Sequence, residues 1–175
     1  LSDELVIEGC AEVMASGIGI VQGVNFNSVG QVVIAGNKAA VEKASEVLKA
    51  KGARKVMPLP VSVPSHCDLM KPAADKLALE LNNVKFNPAK ITLIQNVNGE
   101  IATDVHAIKD GLVKQLYSPV LWTKSVATLA QNDVMTIVEC GPGKVLSGLN
   151  KRIHESAKLF NLNSAESIAA LQASL

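Results

Sequence analysis

PLPVSVPSHCDLMKP, residues 58–72, separates two kinds of organisation in this 175-residue chain. Pro58, Pro60, Pro64 and Pro72 lock the backbone at φ of about −65° and remove their own N–H donors. The stretch therefore forms neither a regular helix nor a central strand until after Pro72. It reads as a rigid crossing between a small subdomain, residues 1–60, and part of a larger core, residues 61–175.

Upstream of the crossing, residues 3–15 predict a helix. Val6, Cys10 and Val13 fall near one face, with Glu4, Glu8 and Glu12 on another. Gly17 ends it. Residues 18–26 and 32–35 are apolar or β-branched, and Asn27, Ser28 and Gly30 supply turn chemistry between them, so the pair predicts a hairpin. Asn37 is placed to cap a helix over 38–51 that buries Ala40, Ala44, Val47 and Leu48, with Gly52 as terminator. Residues 54–59 are expected to return as a strand in the same antiparallel sheet. Helix, strand, strand, helix, strand is a split β-α-β motif whose opening strand is missing, and residue 1 falls where that strand should just have ended.

Downstream, apolar periodicity predicts helices from Leu69 through Leu81, over 105–116 and over 122–130. The 105–116 helix is expected to bury Val105, Ile108, Leu112 and Leu116. Strands are expected at 91–97, 134–138 and 159–162, in one mainly parallel sheet. CGPG, residues 140–143, turns into a helix with Val145, Leu146, Leu149 and Ile153 inside, and a helix over 165–175 closes the chain. Strands alternating with helices give the class: α/β, with a mostly parallel sheet covered on both faces.

Charge and composition exclude several functions. Lys and Arg number 17 against 16 Asp and Glu, a formal net charge of +1, which offers no electrostatic argument for nucleic acid. Lys51, Arg54 and Lys55 read as a solvated helix end. No run of eighteen apolar residues suits a membrane span. Asp3, Glu4, Glu8 and Glu12 make the first residues wrong for a signal or transit peptide. Cys10, Cys67 and Cys140 are odd in number and widely spaced, which points to a reducing compartment, the cytoplasm. His66, His106 and His154 lack ligand spacing, so neither a metal nor a cofactor is expected.

His66 is the foremost chemical candidate. It sits in the proline-pinned loop, where rigid backbone would hold an imidazole within reach of a proton it must take. The alternative is a histidine that caps the helix beginning near Leu69. Ser65 and Cys67 flank it and should point away from it on extended backbone. Gly141 and Gly143 follow a strand and open a helix, where an α/β sheet binds ligands and where backbone can approach one closely. The alternative there is a tight turn packed against its neighbours. Asn25, Asn27 and Gln31 bracket the hairpin turn, and Asn96 and Asn98 end the 91–97 strand. No serine has the GxSxG frame of a nucleophile elbow.

Four segments carry a resemblance: NFNSVGQVVIAG (25–36), LPVSVPSHCDLMKPAADKL (59–77), QLYSPVLWTKSV (115–126) and ECGPGKVLSGLNKRI (139–153). Together they resemble the malonyl-CoA:acyl-carrier-protein transacylases of bacterial fatty acid synthesis. The resemblance implies part of an α/β-hydrolase-like acyltransferase core with an incomplete ferredoxin-like subdomain. It implies His66 as the base that deprotonates a serine, and the main-chain carbonyl of Gln115 as the group that orients the imidazole. Asn25, Asn27, Asn96, Ser65, Gly141 and Gly143 would bind substrate or shape the site. Val29 departs from the family's usual proline.

By this resemblance the chain is expected to be a C-terminal portion that lacks the serine elbow, the arginine that pairs with the malonyl carboxylate and the oxyanion donors. The complete parent would pass malonyl from malonyl-CoA to the phosphopantetheine thiol of acyl carrier protein through a serine-bound intermediate. Its partners are those two substrates, with neither nucleic acid nor membrane. A companion chain carrying the N-terminal half would be a further partner, and the chain alone would be inactive. Two alternatives stand: a non-catalytic fragment that binds carrier protein or CoA, and a related serine thioester hydrolase.

Overall fold

The computed structural model describes residues 1–174. Helix α1 spans Asp3–Ala15, and the hairpin strands β1 and β2 span Val21–Ser28 and Gln31–Gly36. Helix α2 covers Lys38–Ala50. After the proline-rich crossing come a single 3₁₀ turn at Asp68–Met70 and helix α3 at Lys71–Asn82. Two short strands come next, β3 (Ile94–Gln95) and β4 (Glu100–Ile101), then α4 (Val105–Gln115) and α5 (Trp122–Gln131). The last elements are β5 (Thr136–Cys140), α6 (Val145–Ile153), β6 (Lys158–Leu162) and α7 (Ala165–Gln172). Residue 175 of the expected closing helix lies outside the described residues. The α/β class holds, as alternating helices and small sheets.

The first core forms where the periodicity places it. Val6, Cys10 and Val13 of α1 meet Val21 of β1 and Ala40, Ala44 and Leu48 of α2 in one buried cluster. The two alanines let the helices approach, and Gly9 lies so close to Leu48 that a side chain there would collide with it. Ser2 caps α1 by accepting from the Leu5 amide, and Gly17 follows its end at φ +78. Asn37 occupies the cap position of α2 but makes no cap bond. Its Oδ1 instead accepts from the Ile20 amide at 2.8 Å, tying the entry of β1 to the exit of β2.

Sheet pairing corrects three expectations. The described residues contain three two-stranded sheets rather than one antiparallel and one parallel sheet of three strands each. Residues 54–59 are not a strand. A strand is a pairing before it is a conformation, and β-branched composition cannot supply the partner. Of 91–97 only Ile94–Gln95 is a strand, and it pairs antiparallel with Glu100–Ile101 across a tight turn, not with β5. β5 and β6 do pair in parallel, Thr136 with Lys158 through Cys140 with Leu162. Two helix faces also differ. In α6 Leu149 is buried, but Val145 is 72% exposed and Leu146 is exposed as well. In α4 the buried residue is Gly111, against which the Gln95 side chain packs, and Leu112 is exposed.

The hairpin is not isolated from the residues beyond the crossing. On its free edge β1 meets residue 120 in a parallel bridge between Asn25 and Val120. Phe26 N–H donates to the Val120 carbonyl at 2.9 Å, and Val120 N–H donates to the Val24 carbonyl at 2.8 Å. Register shifts flank this bridge on β1, between Gly23 and Asn25 and between Phe26 and Ser28. Bulges of this kind bend a strand and re-aim its side chains.

Candidate active site

His66 is held in the left-handed region, at φ +67. For a residue with a Cβ that conformation costs of order 1–3 kcal/mol and persists only where the surroundings impose it. Here they do. The His66 amide donates to the Leu116 carbonyl at 2.9 Å, and ring Nδ1 lies 2.7 Å from the Gln115 carbonyl oxygen. A carbonyl only accepts, so the contact requires the proton on Nδ1 and leaves Nε2 as the free ring nitrogen.

The physical source of the two carbonyls is the end of a helix. Gln115 is the last residue of α4 and Leu116 is its C-cap. The last carbonyls of a helix have no partner within it, and they form the negative end of its macrodipole. An imidazole docked there finds acceptors already facing outward. The Gln115 side chain fixes this end from the other side, its Nε2 donating to the carbonyls of Ser118 (2.9 Å) and Pro119 (3.3 Å).

The residues beside His66 have structural duties. The Ser65 amide closes a turn onto the Val63 carbonyl at 2.9 Å. Cys67 is fully buried, its thiol donates to the Pro64 carbonyl at 3.1 Å, and burial pushes it above its ordinary value. A buried, protonated thiol facing its own loop is a poor nucleophile. Among the described residues no hydroxyl or thiol hydrogen-bonds to Nε2 of His66.

The run from Gln115 to Ser125 gathers several of the other candidates. Val120 bridges to Asn25, and the Thr123 hydroxyl donates to the Phe26 carbonyl at 3.2 Å. The Leu121 amide donates to the Asn96 carbonyl at 2.8 Å, and the Ser125 hydroxyl to Asn96 Oδ1 at 3.1 Å. Asn96 thus fixes a loop. Asn27 sits on β1, half-buried. Gln31 accepts from Arg152 Nη1 at 3.1 Å, joining the hairpin turn to α6. Gly141 and Gly143 are not among these contacts, and among the described residues no atom beyond their chain neighbours lies within 4 Å of the place a Cβ would take at either. The turn is therefore open rather than packed against a neighbour.

Two features escaped the sequence reading. Glu139, at the end of β5, accepts from the amides of Leu146 (3.1 Å) and Ser147 (2.7 Å), from the Ser147 hydroxyl (2.7 Å) and from Asn161 Nδ2 (3.0 Å). Those bonds, the Ser147 hydroxyl first, hold its carboxyl below the ordinary range. A carboxylate just before a Gly-Pro-Gly turn and a helix start is the signal that could have found it. The second is Gln22, whose Oε1 accepts from the Asp68 amide at 2.8 Å.

Two cavities of about 640 and 600 Å³ lie elsewhere, one between α1, β1 and the start of α5, the other under Trp122 and Leu129; His66 and Gln115 line neither. Among the described residues, no group of three or more His, Cys, Asp or Glu side chains stands together to hold a metal, and no helix is long and apolar enough to cross a membrane.

No family model matches the chain. Individual relatives do. Malonyl CoA-acyl carrier protein transacylase of Escherichia coli is 52% identical over 170 residues, 97% of this chain and 54% of that protein. Its counterpart in Haemophilus influenzae is 47% identical over 172 residues, 98% of this chain and 54% of that protein. Among solved structures, an acyl carrier protein S-malonyltransferase from Vibrio cholerae superposes with a TM-score of 0.94 at 50% identity, covering 98% of this chain and 55% of that one. A malonyl-transacylase solved in complex with its type II PKS acyl-carrier protein gives a TM-score of 0.94 at 48% identity, covering 99% of this chain and 56% of that one. The expectation that defined the chain as a C-terminal portion by what it lacks is corrected by these matches, which take in nearly all of the chain itself. The chain spans about half the length of the curated relatives it matches. Along that span, with His66 and Gln115 both inside it, the chain is similar in sequence and in fold to the malonyl CoA-acyl carrier protein transacylases.

Proposed function

We propose that the whole protein transfers malonyl from malonyl-CoA to the phosphopantetheine thiol of acyl carrier protein, with His66 as its general base. The observation that carries this reading is the 2.7 Å contact between His66 Nδ1 and the Gln115 carbonyl, in a chain 52% identical to a transacylase of that name. With Nδ1–H on the carbonyl, Nε2 takes the proton of a nucleophilic hydroxyl as that oxygen attacks the malonyl thioester. The resulting imidazolium rests on the end of α4, and returns the proton to the departing CoA thiolate. In the second half of the cycle Nε2 accepts the proton of the carrier thiol as its sulfur attacks the acyl ester, the ester C–O bond breaks, and Nε2 returns the proton to the released hydroxyl oxygen. The resemblance supplies the serine for that hydroxyl. Gln115 acts through its main chain, which fixes the tautomer as a carboxylate does in other triads.

In this reading Ser65, Asn25, Asn27, Asn96, Gly141 and Gly143 bind substrate or shape the site, and no cofactor is needed. Residues 1–60 form a small subdomain with a core of its own and 61–175 part of the larger acyltransferase core, a division supported by the separate cluster of α1, β1 and α2. Three free thiols suit a reducing compartment, and we place the reaction in the cytoplasm.

The test is malonylation of purified holo acyl carrier protein from malonyl-CoA, read by intact mass of the carrier. His66→Ala should lower the rate by roughly 10²–10⁴-fold, the contribution of a positioned base. An unchanged rate would remove His66 from the mechanism. Release of free malonate with no dependence on the carrier would make the protein a hydrolase. Carrier binding without any transfer would make it a binding module.

A further inference from the structure

We infer that Gln22 is a positioning residue for His66, and that strand β1 sets the distance between the imidazole and its orienting carbonyl. This inference deepens the proposed acyl transfer and rests on it only for its kinetic arm. The left-handed backbone at His66 persists only under restraint, and the bonds that hold residues 65–68 arise in three places. Within the loop and its run into α3, Ser65 N–H meets the Val63 carbonyl, the Cys67 thiol meets the Pro64 carbonyl, the Met70 amide donates to the Cys67 carbonyl and Lys71 pairs with Asp68 at 2.9 Å. From the end of α4 come the carbonyls of Gln115 and Leu116. The remaining bond comes from the hairpin, as the Asp68 amide donates to Gln22 Oε1 at 2.8 Å across 46 residues of sequence.

The donor here is a main-chain N–H, so it is the amide oxygen of Gln22 that must face it. The contact falls two residues after His66, on the outgoing side of the left-handed residue, where among the described residues the other bonds are to the adjoining start of α3 and none reaches a distant segment. Gln22 is half-buried, so losing its oxygen would leave the Asp68 amide without its partner in a partly dry place. Two and four residues further along the same strand, the Val24 carbonyl and the Phe26 amide bond Val120, five residues after Gln115. One short strand therefore grips both arms of the site. Through Gln22 it holds the imidazole's loop, and through Val24 and Phe26 it holds the segment that bears the carbonyl. A carboxylate at position 22 would preserve the acceptor, whereas a thioether of similar length would not.

The experiment uses the full chain with Gln22→Met and Gln22→Glu. The first readout is the pair of ring ¹⁵N shifts of His66, identified by their loss in His66→Gln. In the unsubstituted chain they should show the tautomer with the proton on Nδ1, and Gln22→Glu should keep that pattern. Gln22→Met should shift it toward the average of a free imidazole. The second readout is malonyl transfer to carrier protein by the whole protein, where Gln22→Met should lower kcat about tenfold with KM unchanged, and Gln22→Glu should restore most of it. If Gln22→Met does not fold, amide exchange at Asp68 in the unsubstituted chain decides, since slow exchange is expected and exchange at the rate of an open loop overturns the inference. Unaltered His66 shifts in folded Gln22→Met overturn it too, as does a change in KM alone. If no transfer is seen with the unsubstituted protein, the proposed function fails while the ring shifts still decide the role of Gln22.

Discussion

The two ends of the molecule are held together by different forces. Residues 3–50 build α1, β1, β2 and α2 around a shared apolar cluster in which Val21, Ala40 and Ala44 are wholly buried. Residues 134–174 build β5, α6, β6 and α7 with only Leu149 and Asn150 buried among the described residues of that span. What organises the second region is polar. Glu139 collects two amides, a hydroxyl and an asparagine, Asn161 also donates to Ser147 Oγ at 2.8 Å, and Ser164 and Ser167 form a reciprocal capping box on α7. Burial is non-directional and scales with area, whereas a carboxylate network depends on its charge state. The same α/β fold thus contains one region that should respond to cavities and another that should respond to pH.

The strongest way to break this contrast is Leu48→Ala. Leu48 is 5% exposed and packs against Gly9 in the first cluster, so truncation should cost about 3 kcal/mol, read as a lower urea midpoint. A loss below about 1 kcal/mol would mean that the cluster does not govern stability. The next effect sharpens the other side. Glu139 has its folded value depressed below the ordinary 4.5, chiefly by the Ser147 hydroxyl. Its contribution is therefore present in full above that ordinary value and is lost as pH falls through the folded one. Glu139→Gln should destabilise near neutral pH and flatten the acid-side loss of stability. Parallel acid titration curves for the two proteins would refute that account. The smallest effect is Val145→Ala. Its side chain is 72% exposed despite its place in the apolar pattern of α6, so the change should stay within about 0.5 kcal/mol. A loss comparable with that of Leu48→Ala would show that the second region is buried after all.

The same contrast marks what could be read from the sequence. Helices were legible because their signals are local. The α1 and α2 faces fall at their expected spacing and Gly17 follows the end of α1, although Asn37 makes no cap bond on α2. Strands 54–59 and 91–97 were misread because strand identity is settled by a neighbour that composition does not name. Val145 and Leu146 were misplaced for a related reason, since a period of 3.6 shows which residues share a face and not what covers it. At the candidate site, His66 stood out through its proline-pinned loop. Gln115 was reachable only through resemblance, because it works through a carbonyl that any residue would carry. Gln22 left no trace at all, since its partner is an amide 46 residues away.

Those separations also set an order in time. The cluster of α1, β1, β2 and α2 closes through neighbours in sequence, whereas the site closes through contacts 46, 49 and 97 residues apart, from Gln22 to Asp68, His66 to Gln115 and Phe26 to Thr123. Closing longer loops costs more entropy and comes later. The histidine is therefore expected to take up its left-handed backbone only after the hairpin that grips it has formed, with β1 a template during folding before it is a brace. Pulse-labelled exchange during refolding would show it: the Leu48 amide should gain protection before those of Asp68 and Phe26, and the reverse order would exclude the template.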